Sequence, residues 1–177
     1  MRPARVLVVC HANVARSVAA AHLLAGAVDE RGVEIELSSA GTHATAGQPV
    51  SARTTTSLGR ALGREVALGA HRAHQLTESD LDETDLVVVM EAAQVRLVRR
   101  TYRAAADRTA ALTVLARELP CDDRPLAVRV ASMALAAREP DDLDDVDDPA
   151  GGGDEAYDAT MAVLVERCGE LARRFAG

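Results

Sequence analysis

The residues with the clearest chemical potential stand near the start of the chain, where Cys10 precedes Arg16 with five residues between them. Cys10 follows Val6–Val9, an apolar and mostly β-branched run that is typical of a buried parallel strand. Ser17 opens a stretch rich in alanine and leucine that continues to Ala27, which predicts a helix with Ser17 as its cap. The sequence therefore places Cys10 and Arg16 at the two ends of a loop between a strand and a helix.

Such a loop is suited to binding an oxyanion. Its backbone N–H groups and the first turn of the helix favour negative charge, and the same field stabilises the thiolate of a cysteine. The planar guanidinium of Arg16 can hold two oxygens of a phosphate-like group. A thiolate that faces a bound tetrahedral oxyanion can accept a phosphoryl group and form a phosphocysteine. The spacing alone is weak evidence, because a chain this rich in arginine readily produces it by chance.

A second strand is predicted over Val33–Ser39, where apolar and polar residues alternate. A strand, a helix and a second strand in this order form a right-handed βαβ unit, which predicts an α/β fold with a parallel sheet. Ligands of such sheets bind at the carboxyl ends of the strands. Cys10 and Ser39 are therefore expected to be neighbours.

The loop resembles the phosphate-binding loop of the low-molecular-weight protein tyrosine phosphatases, whose pattern is roughly Val-Cys-x-Gly-Asn-x-Cys-Arg-Ser-Pro. Further matches follow in the family's order along nearly the whole chain: Ser39–Thr42, Gly47–Pro49, His71–Leu76, Asp85–Met90 and Asp148-Pro149. The chain is identified as similar to a bacterial member of this family, of the actinobacterial type. The resemblance implies a three-layer α/β/α fold, with a central four-stranded parallel sheet and the phosphate-binding loop after strand 1.

The resemblance also implies a role for each matching residue. Cys10 is expected to be the nucleophile, Arg16 to bind the substrate oxygens, and Asp148 to act as general acid and then as general base. The rest of the loop is expected to line the bound substrate: His11, Ala12, Asn13, Val14, Ala15 and Ser17. Ser39 and His71 are expected to support the loop, with His71 bonded to Asn13 and Ser17 bonded to the thiolate.

The remaining elements follow from local patterning. Two further strands are predicted, over Asp85–Met90 and around Leu112–Leu115. Helices are predicted from about Pro49 to Leu62 and over Thr77–Asp82, Glu91–Arg103, Pro125–Arg138 and Asp154–Phe175. The chain is expected to be one domain, 1–177, with an insertion around 116–140 that either has a structural role or covers the mouth of the site. The acidic run 140–148 is expected to be a solvated loop, with Asp148 set apart by the proline that follows it.

Composition limits the classes of function. The net charge of −7 argues against binding to nucleic acid or to anionic membranes. No apolar run is long enough to span a bilayer, and the N-terminus lacks a signal-peptide core, so a cytoplasmic protein is expected. The three cysteines lack metal-ligand spacing, so neither a metal nor another cofactor is expected. The expected partners are a phosphorylated protein or a small phosphomonoester, with phosphate or another oxyanion in the loop of a monomer or weak dimer.

The chain departs from the family pattern at positions that bear on substrate and redox chemistry. Ala12 replaces a glycine, which introduces strain if that position needs a positive φ. Ala15 replaces the second loop cysteine, so oxidised Cys10 lacks its usual disulfide partner. His11 is expected to lie at the pocket mouth. Aromatic residues make up only 2% of the chain and are absent from 41–47 and 150–152, so the mouth is expected to lack aromatic walls.

The sequence is therefore compatible with several functions. Protein phosphotyrosine is the first candidate substrate, and Val14, at the loop position where phosphoarginine-preferring relatives carry threonine, favours it. Phosphoarginine or a small phosphomonoester is the alternative. Arsenate reduction requires two further cysteines close to the nucleophile, and Cys121 and Cys168 are not closely paired in the sequence. An oxyanion-binding module without turnover is the non-enzymatic alternative.

Overall fold

Four parallel strands form the central sheet of the chain. The computed structural model describes residues 2–177, so Met1, which the domain prediction includes, lies outside the described residues. The strands are β1 (Ala4–Cys10), β2 (Ile35–Gly41), β3 (Leu86–Val89) and β4 (Thr109–Ala111). They pair in the order β2-β1-β3-β4, and every pair is parallel. The predicted parallel sheet is confirmed.

Seven α-helices cover the two faces of this sheet. They are α1 (Arg16–Asp29), α2 (Ala52–Leu62), α3 (Glu78–Asp82), α4 (Ala92–Thr101), α5 (Leu112–Glu118), α6 (Leu126–Ala131) and α7 (Asp154–Phe175). Short 3-10 turns lie at Arg103–Arg108, Leu135–Ala137 and Asp142–Asp144. No helix among residues 2–177 is long and apolar enough to cross a membrane.

The alternation of side chains along β1 explains why the strand is apolar throughout. Val6 and Val8 are buried in one core, with residues of α1, α2, α5, α6 and α7. Leu7 and Val9 are buried in a second core, with residues of α3 and α4. Successive side chains of a strand point to opposite faces, so a strand covered on both faces needs apolar residues at every position. The three-layer α/β/α prediction is confirmed.

Several predicted elements are present with small shifts at their ends. α7 spans the predicted residues, and α2 ends where Gly63 adopts a φ of 62°. Thr77 caps α3 through a capping box with Asp80. The predicted cap of α1 is wrong, because Ala15 holds the N-cap position and no side chain caps the helix there. The hydroxyl of Ser17 instead contacts Cys10 and Asn13 inside the loop.

The fourth strand lies earlier in the chain than predicted. β4 occupies Thr109–Ala111, and the predicted strand Leu112–Leu115 is the first turn of α5. The apolar run fits both structures, because Leu112, Leu115 and Ala116 have helical spacing and are buried on one face. In the run Thr109–Leu119, only Thr109–Ala111 pair with β3, and the residues from Leu112 to Glu118 form α5.

The predicted helix Pro125–Arg138 is also too long. α6 ends at Ala131, and the chain turns at Ala134, whose φ is 50°, before the 3-10 turn Leu135–Ala137. The long polar helix predicted over Glu91–Arg103 is shorter as well, since α4 ends at Thr101.

Arginine side chains hold the segment around 116–140 by binding its backbone carbonyls. Arg99 of α4 donates to the carbonyl oxygens of Leu135 and Arg138, each at 2.5 Å. Arg129, which is only 5% exposed, donates to carbonyls of Pro120, Arg174 and Phe175. These bonds pair the buried guanidinium groups with backbone carbonyls of the segment and of the end of α7. Leu126, Val130 and Leu135 are buried in the same core as α7, so the segment contributes to packing.

We expect Ala134→Gly to stabilise the protein, because alanine is strained in the left-handed region and glycine is not. The free energy of unfolding should rise by about 1 kcal/mol, the strain of an L-residue there less the larger entropy of unfolded glycine. Urea denaturation measures the change. Ala162→Gly, at an exposed position within α7, is the control and should lower the free energy of unfolding by about 1 kcal/mol. Equal destabilisation by both substitutions would contradict the expectation.

Candidate active site

The loop between β1 and α1 is organised around the side chain of Asn13. Asn13 is fully buried and adopts a φ of 55°, a left-handed conformation that asparagine tolerates better than most residues. Its Nδ2 group donates to the hydroxyl oxygens of Ser17 at 2.9 Å and Ser39 at 3.0 Å. Its Oδ1 atom accepts a bond of 2.9 Å from the backbone N–H of His74. Ala12 does not have a positive φ, so the strain considered for the alanine falls on Asn13 instead.

His71 fixes the backbone of the same residue. The Nε2 atom of His71 lies 2.8 Å from the carbonyl oxygen of Asn13. A carbonyl only accepts, so Nε2 carries the proton of this bond. Asn13 is therefore held through both its side chain and its backbone, by residues from β2 and from the connector after α2.

The loop after β2 lies directly against the loop after β1. The backbone N–H groups of Thr42 and His43 donate to the carbonyls of Cys10 and His11, at 2.9 and 2.8 Å. A Cβ atom at Gly41 would lie 2.6 Å from the carbonyl oxygen of His11, so only glycine fits there. The two loops are therefore joined by their backbones, as expected for neighbouring parallel strands that end at the same edge.

Residues at the beginning of α2 also bind the loop after β1. The backbone N–H of Ser51 donates to the carbonyl of Val14 at 2.9 Å, and the hydroxyl of Thr54 donates to the same oxygen at 3.3 Å. Val14 is half-buried and Ala15 is buried. The backbone conformation of the loop is thus held by contacts with three surrounding segments of the chain.

The thiol of Cys10 and the guanidinium of Arg16 both lie in this loop and are nearly inaccessible to solvent. The Sγ atom of Cys10 lies 3.0 Å from the hydroxyl oxygen of Ser17, within hydrogen-bond distance. Cys10 is 3% exposed and Arg16 is 1% exposed. A cysteine sulfur that accepts a bond from a hydroxyl is stabilised as a thiolate, which is the nucleophilic form.

Arg16 binds three partners that come from two other parts of the chain. Its Nη1 donates to Glu91 Oε1 at 2.7 Å and to the carbonyl oxygen of Val146 at 2.9 Å. Its Nη2 donates to Asp148 Oδ2 at 2.5 Å. A buried guanidinium requires such charged and polar partners, because an unpaired buried charge is strongly unfavourable. Arg16 therefore brings the carboxylate of Asp148 next to the loop, although the two residues are far apart in the sequence.

Glu91 is a site residue that the sequence reasoning missed. It lies two residues after Val89, the last residue of β3, and β3 pairs with β1. A carboxylate just past the end of a strand beside β1 was the available signal, because parallel strands place their carboxyl ends at one edge. The sequence alone does not give the order of the strands in the sheet, so it does not show that β3 lies next to β1.

The acidic run 140–148 lies outside the α-helices and strands, and Asp141, Asp142, Asp147 and Asp148 are exposed, as expected for a solvated loop. Several of its carboxylates nevertheless bind the protein surface, and we call this segment the strap. The carboxylate of Asp145 accepts a bond of 2.6 Å from the backbone N–H of Ala92, at the beginning of α4. Asp142 pairs with Arg96 at 2.9 Å, and Asp144 pairs with Arg117 at 2.7 Å. Sequence composition cannot show these pairs, because the arginines lie on helices formed by other parts of the chain.

Val146, two residues before Asp148, anchors the strap in the protein interior. The N–H of Val146 donates to the carbonyl of Met90 at 2.8 Å, and the carbonyl of Val146 accepts from Arg16.

The two carboxylates on either side of Val146 have different surroundings. Burial raises the pKa of Asp145, the neighbouring charge of Glu91 raises this pKa further, and the hydrogen bond from Ala92 opposes the rise. Asp148 itself is about one-third exposed and accepts a bond of 3.0 Å from the N–H of Ala150. Its carboxylate thus faces both Arg16 and solvent.

The histidines at the mouth lie closer together than the sequence indicates. The rings of His11 and His43 are stacked, with centroids 4.6 Å apart and an interplanar angle of 20°. Both residues are exposed. His43 therefore lies beside the residue that follows the candidate nucleophile.

The other two cysteines lie outside this site. Cys168 is buried in α7, where burial raises the pKa of its thiol, and its Sγ lies 3.8 Å from the carbonyl of Ala20. Cys121 is exposed in the segment after α5. All three cysteines are free, and no group of three or more metal-ligating side chains is found among residues 2–177.

The fold and the loop together define an α/β protein with a Cys-x5-Arg loop at the carboxyl end of its first strand. The sequence model of the low molecular weight phosphotyrosine protein phosphatases matches residues 5–118, which include this loop, β2, β3 and Glu91. The match covers more than half of the chain. The chain therefore belongs to the low molecular weight phosphotyrosine protein phosphatase family.

A curated relative supports this assignment. The low molecular weight phosphotyrosine protein phosphatase of Dictyostelium discoideum is 28% identical over 111 residues, which cover 56% of this chain and 62% of that protein. The match with this relative therefore spans less than two thirds of the relative's own length.

Two solved structures match nearly the whole chain. The low molecular weight protein tyrosine phosphatase from T. tengcongensis is 27% identical with a TM-score of 0.74, and the match covers 95% of this chain and 97% of that one. The YwlE arginine phosphatase from Geobacillus stearothermophilus is 27% identical with a TM-score of 0.70, and the match covers 96% and 91% of the two chains.

We expect peroxide to oxidise Cys10 beyond the sulfenic acid, because Ala15 offers no thiol with which the sulfenic acid could form a disulfide. Dithiothreitol should restore only a small part of the free thiol after prolonged exposure. Mass spectrometry of the peptide that contains Cys10 measures the sulfinic and sulfonic products. Cys121→Ser should behave like the wild type, since the exposed thiol lies outside the site. Full recovery of the Cys10 thiol would contradict the expectation.

Proposed function

We propose that this chain is a cysteine-dependent phosphatase that hydrolyses phosphomonoesters through a phosphocysteine, with protein phosphotyrosine as the first candidate substrate. The observation that carries the proposal is the position of Arg16, which lies in the same loop as Cys10 and contacts Asp148. This arrangement brings a nucleophile, a cation for the phosphoryl oxygens and an acid to one place. Membership of the phosphatase family supports the same reaction.

The first half of the reaction transfers the phosphoryl group to the protein. The Cys10 thiolate attacks phosphorus, the S–P bond forms, and the bond between phosphorus and the leaving oxygen breaks. Arg16 and the backbone N–H groups of the loop bind the three non-bridging oxygens and stabilise their charge in the transition state. Asp148 donates its proton to the leaving oxygen.

Asp148 must leave Arg16 for this to occur. In this structure its Oδ2 atom accepts a hydrogen bond from Nη2 of the guanidinium. A phosphoryl oxygen that binds Nη2 replaces this carboxylate, and the carboxyl group is then free to turn toward the leaving oxygen. Glu91 and the carbonyl of Val146 keep Nη1 occupied, so the guanidinium stays in place during the exchange.

The second half releases inorganic phosphate. Asp148, now a carboxylate, takes a proton from a water molecule as that water attacks phosphorus, and the S–P bond breaks. The electron pair of that bond returns to Cys10 as a thiolate, which the hydroxyl of Ser17 stabilises. The free Cys10 thiolate is thereby regenerated.

Turnover of p-nitrophenyl phosphate tests the proposal. Cys10→Ser should abolish turnover while inorganic phosphate still binds, and Cys121→Ser should turn over like the wild type. Asp148→Asn should keep part of the rate with this good leaving group and lose about 10²- to 10⁴-fold with phenyl phosphate, whose leaving oxygen needs the proton. Turnover that survives Cys10→Ser, or absence of turnover in the wild type, would disprove the proposal.

Phosphoarginine is the second candidate substrate. The YwlE protein with which this chain shares 27% identity is an arginine phosphatase. Comparison of phosphotyrosine and phosphoarginine peptides of the same sequence distinguishes the two. The net charge of −7 disfavours nucleic-acid partners, and the three free cysteines favour a reducing compartment. The proposed enzyme is therefore a cytoplasmic phosphatase, a monomer or weak dimer, whose substrates are phosphorylated proteins or small phosphomonoesters.

Arg53 connects the loop that follows Asp148 to α2. Its Nη1 donates to the carbonyl of Gly152 at 2.9 Å, its Nε lies 3.4 Å from Asp154, and its guanidinium carbon lies 5.9 Å from the ring centre of Tyr157. α2 also binds the carbonyl of Val14. The same short helix therefore contacts both the phosphate loop and the glycine-rich loop next to the proposed acid.

We expect Arg53→Gln to lower turnover by a few-fold with phenyl phosphate and less with p-nitrophenyl phosphate, because a looser acid loop matters most when the leaving oxygen needs a proton. Steady-state kinetics with the two substrates measure the difference. Arg60→Gln is the matched control, since Arg60 also pairs α2 with α7, at Asp158, but does not contact the glycine loop. An equal effect of the two substitutions would contradict this role for Arg53.

A further inference from the structure

A groove between α5 and α7 is lined mainly by basic side chains. Its volume is about 510 Å³, which is within the range of sites for small molecules. Its charged lining residues are one glutamate, Glu170, and four arginines: Arg117, Arg167, Arg173 and Arg174. The chain as a whole has a net charge of −7, so this groove is a region of opposite charge on an acidic protein.

Two of the four arginines are already paired with carboxylates. Arg117 pairs with Asp144 of the strap at 2.7 Å and with Glu118 at 2.8 Å. Arg167 pairs with Glu170 at 2.8 Å. The acidic partners neutralise both guanidinium groups, so the charge that is available to a ligand must come from the other two arginines.

Arg173 and Arg174 form no ion pair with any of residues 2–177. The side chain of Arg173 is exposed on the last turn of α7. The guanidinium of Arg174 donates to three backbone carbonyls at the end of α5, those of Ala116, Arg117 and Leu119. A guanidinium has five N–H donors, so Arg174 keeps two of them for a ligand.

A further arginine adds positive charge next to this end of the groove. Arg129 is 5% exposed and donates to the carbonyls of Pro120, Arg174 and Phe175, without a carboxylate among its hydrogen-bond partners. Its charge is felt by a neighbouring acid. Hydrogen bonds from Arg124 hold the pKa of Asp122 at about 2, and the positive charge of Arg129 also lowers this pKa.

We propose that this groove binds a small polyanion, a molecule that carries two or more linked phosphate or carboxylate groups. The planar fork of a guanidinium can donate two parallel hydrogen bonds to either group. Two arginines without carboxylate partners favour a ligand with at least two negative charges, because a single charge would leave one arginine uncompensated.

The groove is separate from the candidate active site. Arg173 lies about 28 Å along the helix axis from Asp154, where α7 begins after the glycine-rich loop that follows Asp148. A polyanion in the groove is therefore not the substrate of the proposed phosphatase, and the two proposals stand or fall independently.

The thiol of Cys121 provides a local test of occupation. Cys121 is exposed, lines the groove, and has its Sγ atom 4.0 Å from the carbonyl oxygen of Arg173. A bound polyanion should cover this thiol and repel its reactive thiolate, so alkylation by iodoacetamide should slow. Mass spectrometry follows the Cys121 peptide separately from the Cys10 peptide, so an anion bound in the loop after β1 does not affect the result.

The probes are tripolyphosphate and citrate at millimolar concentration, each compared with sodium chloride of the same ionic strength. Either polyanion should slow alkylation of Cys121 about threefold or more relative to sodium chloride, because chloride screens charge but does not bridge two arginines. Slowing by sodium chloride that equals the slowing by both polyanions would show screening alone and would overturn the proposal.

Substitution of Arg173 assigns the protection to the groove. Arg173→Gln removes a charge that has no partner in the protein, and it should abolish most of the protection by the polyanions. Arg173→Lys keeps the charge and should keep part of the protection. Arg64→Gln is the matched control, because Arg64 is exposed in the connector after α2 and does not line the groove.

A polyanion that protects Cys121 equally in Arg173→Gln and Arg64→Gln binds elsewhere, and this result would overturn the proposal. Turnover of p-nitrophenyl phosphate does not enter the test. Failure of protection therefore leaves the proposed phosphatase intact, and protection of Cys121 in a protein without turnover would support the groove while the proposed function fails.

Discussion

The buried charge of Arg16 is the constraint on which the rest of the site depends. A guanidinium that is 1% exposed is stable only with partners that replace its hydration, and it has a carboxylate from the end of β3, a carbonyl from the strap and the carboxylate of Asp148. These partners come from segments far apart in the chain. The same charge that is suited to hold a phosphoryl group thus also assembles the residues around it, so the folding of this edge and its chemistry have a common electrostatic cause.

Contacts within the protein hold the loop after β1 in its shape. Asn13 accepts a left-handed backbone because its polar groups are all used, and neighbouring loops bind the carbonyls of Cys10, His11 and Val14. Donors that are already oriented need not reorganise as charge develops on a bound oxyanion, which is the physical basis of electrostatic catalysis. The parallel sheet makes this arrangement available, since β1 and β2 end in register at Cys10 and Gly41.

Much of the fold and of the proposed site could be predicted from the sequence, and the exceptions have physical reasons. Cys10, Arg16 and Asp148 lie within recognisable local motifs, and strands such as β1 are marked by continuous apolar residues. Glu91 and the stacking of His43 were missed because both depend on which strand ends are adjacent. The strand predicted at Leu112 was wrong because one apolar run satisfies two periodicities. The ion pairs of the acidic strap could not be predicted, because each of them joins residues that are distant in the sequence.

The ion pairs that hold the strap differ in their exposure to solvent. Its outer ion pairs, Arg96–Asp142 and Arg117–Asp144, have arginine side chains that are about half exposed, whereas the Arg16 pairs beneath are shielded by the protein. Dissolved ions screen the outer layer far more than the inner one. A change in ionic strength therefore weakens the ion pairs that hold the strap without acting directly on the guanidinium of Arg16. The exposed surfaces of α4 and α5 are thus places from which the solution around the molecule can influence the freedom of Asp148.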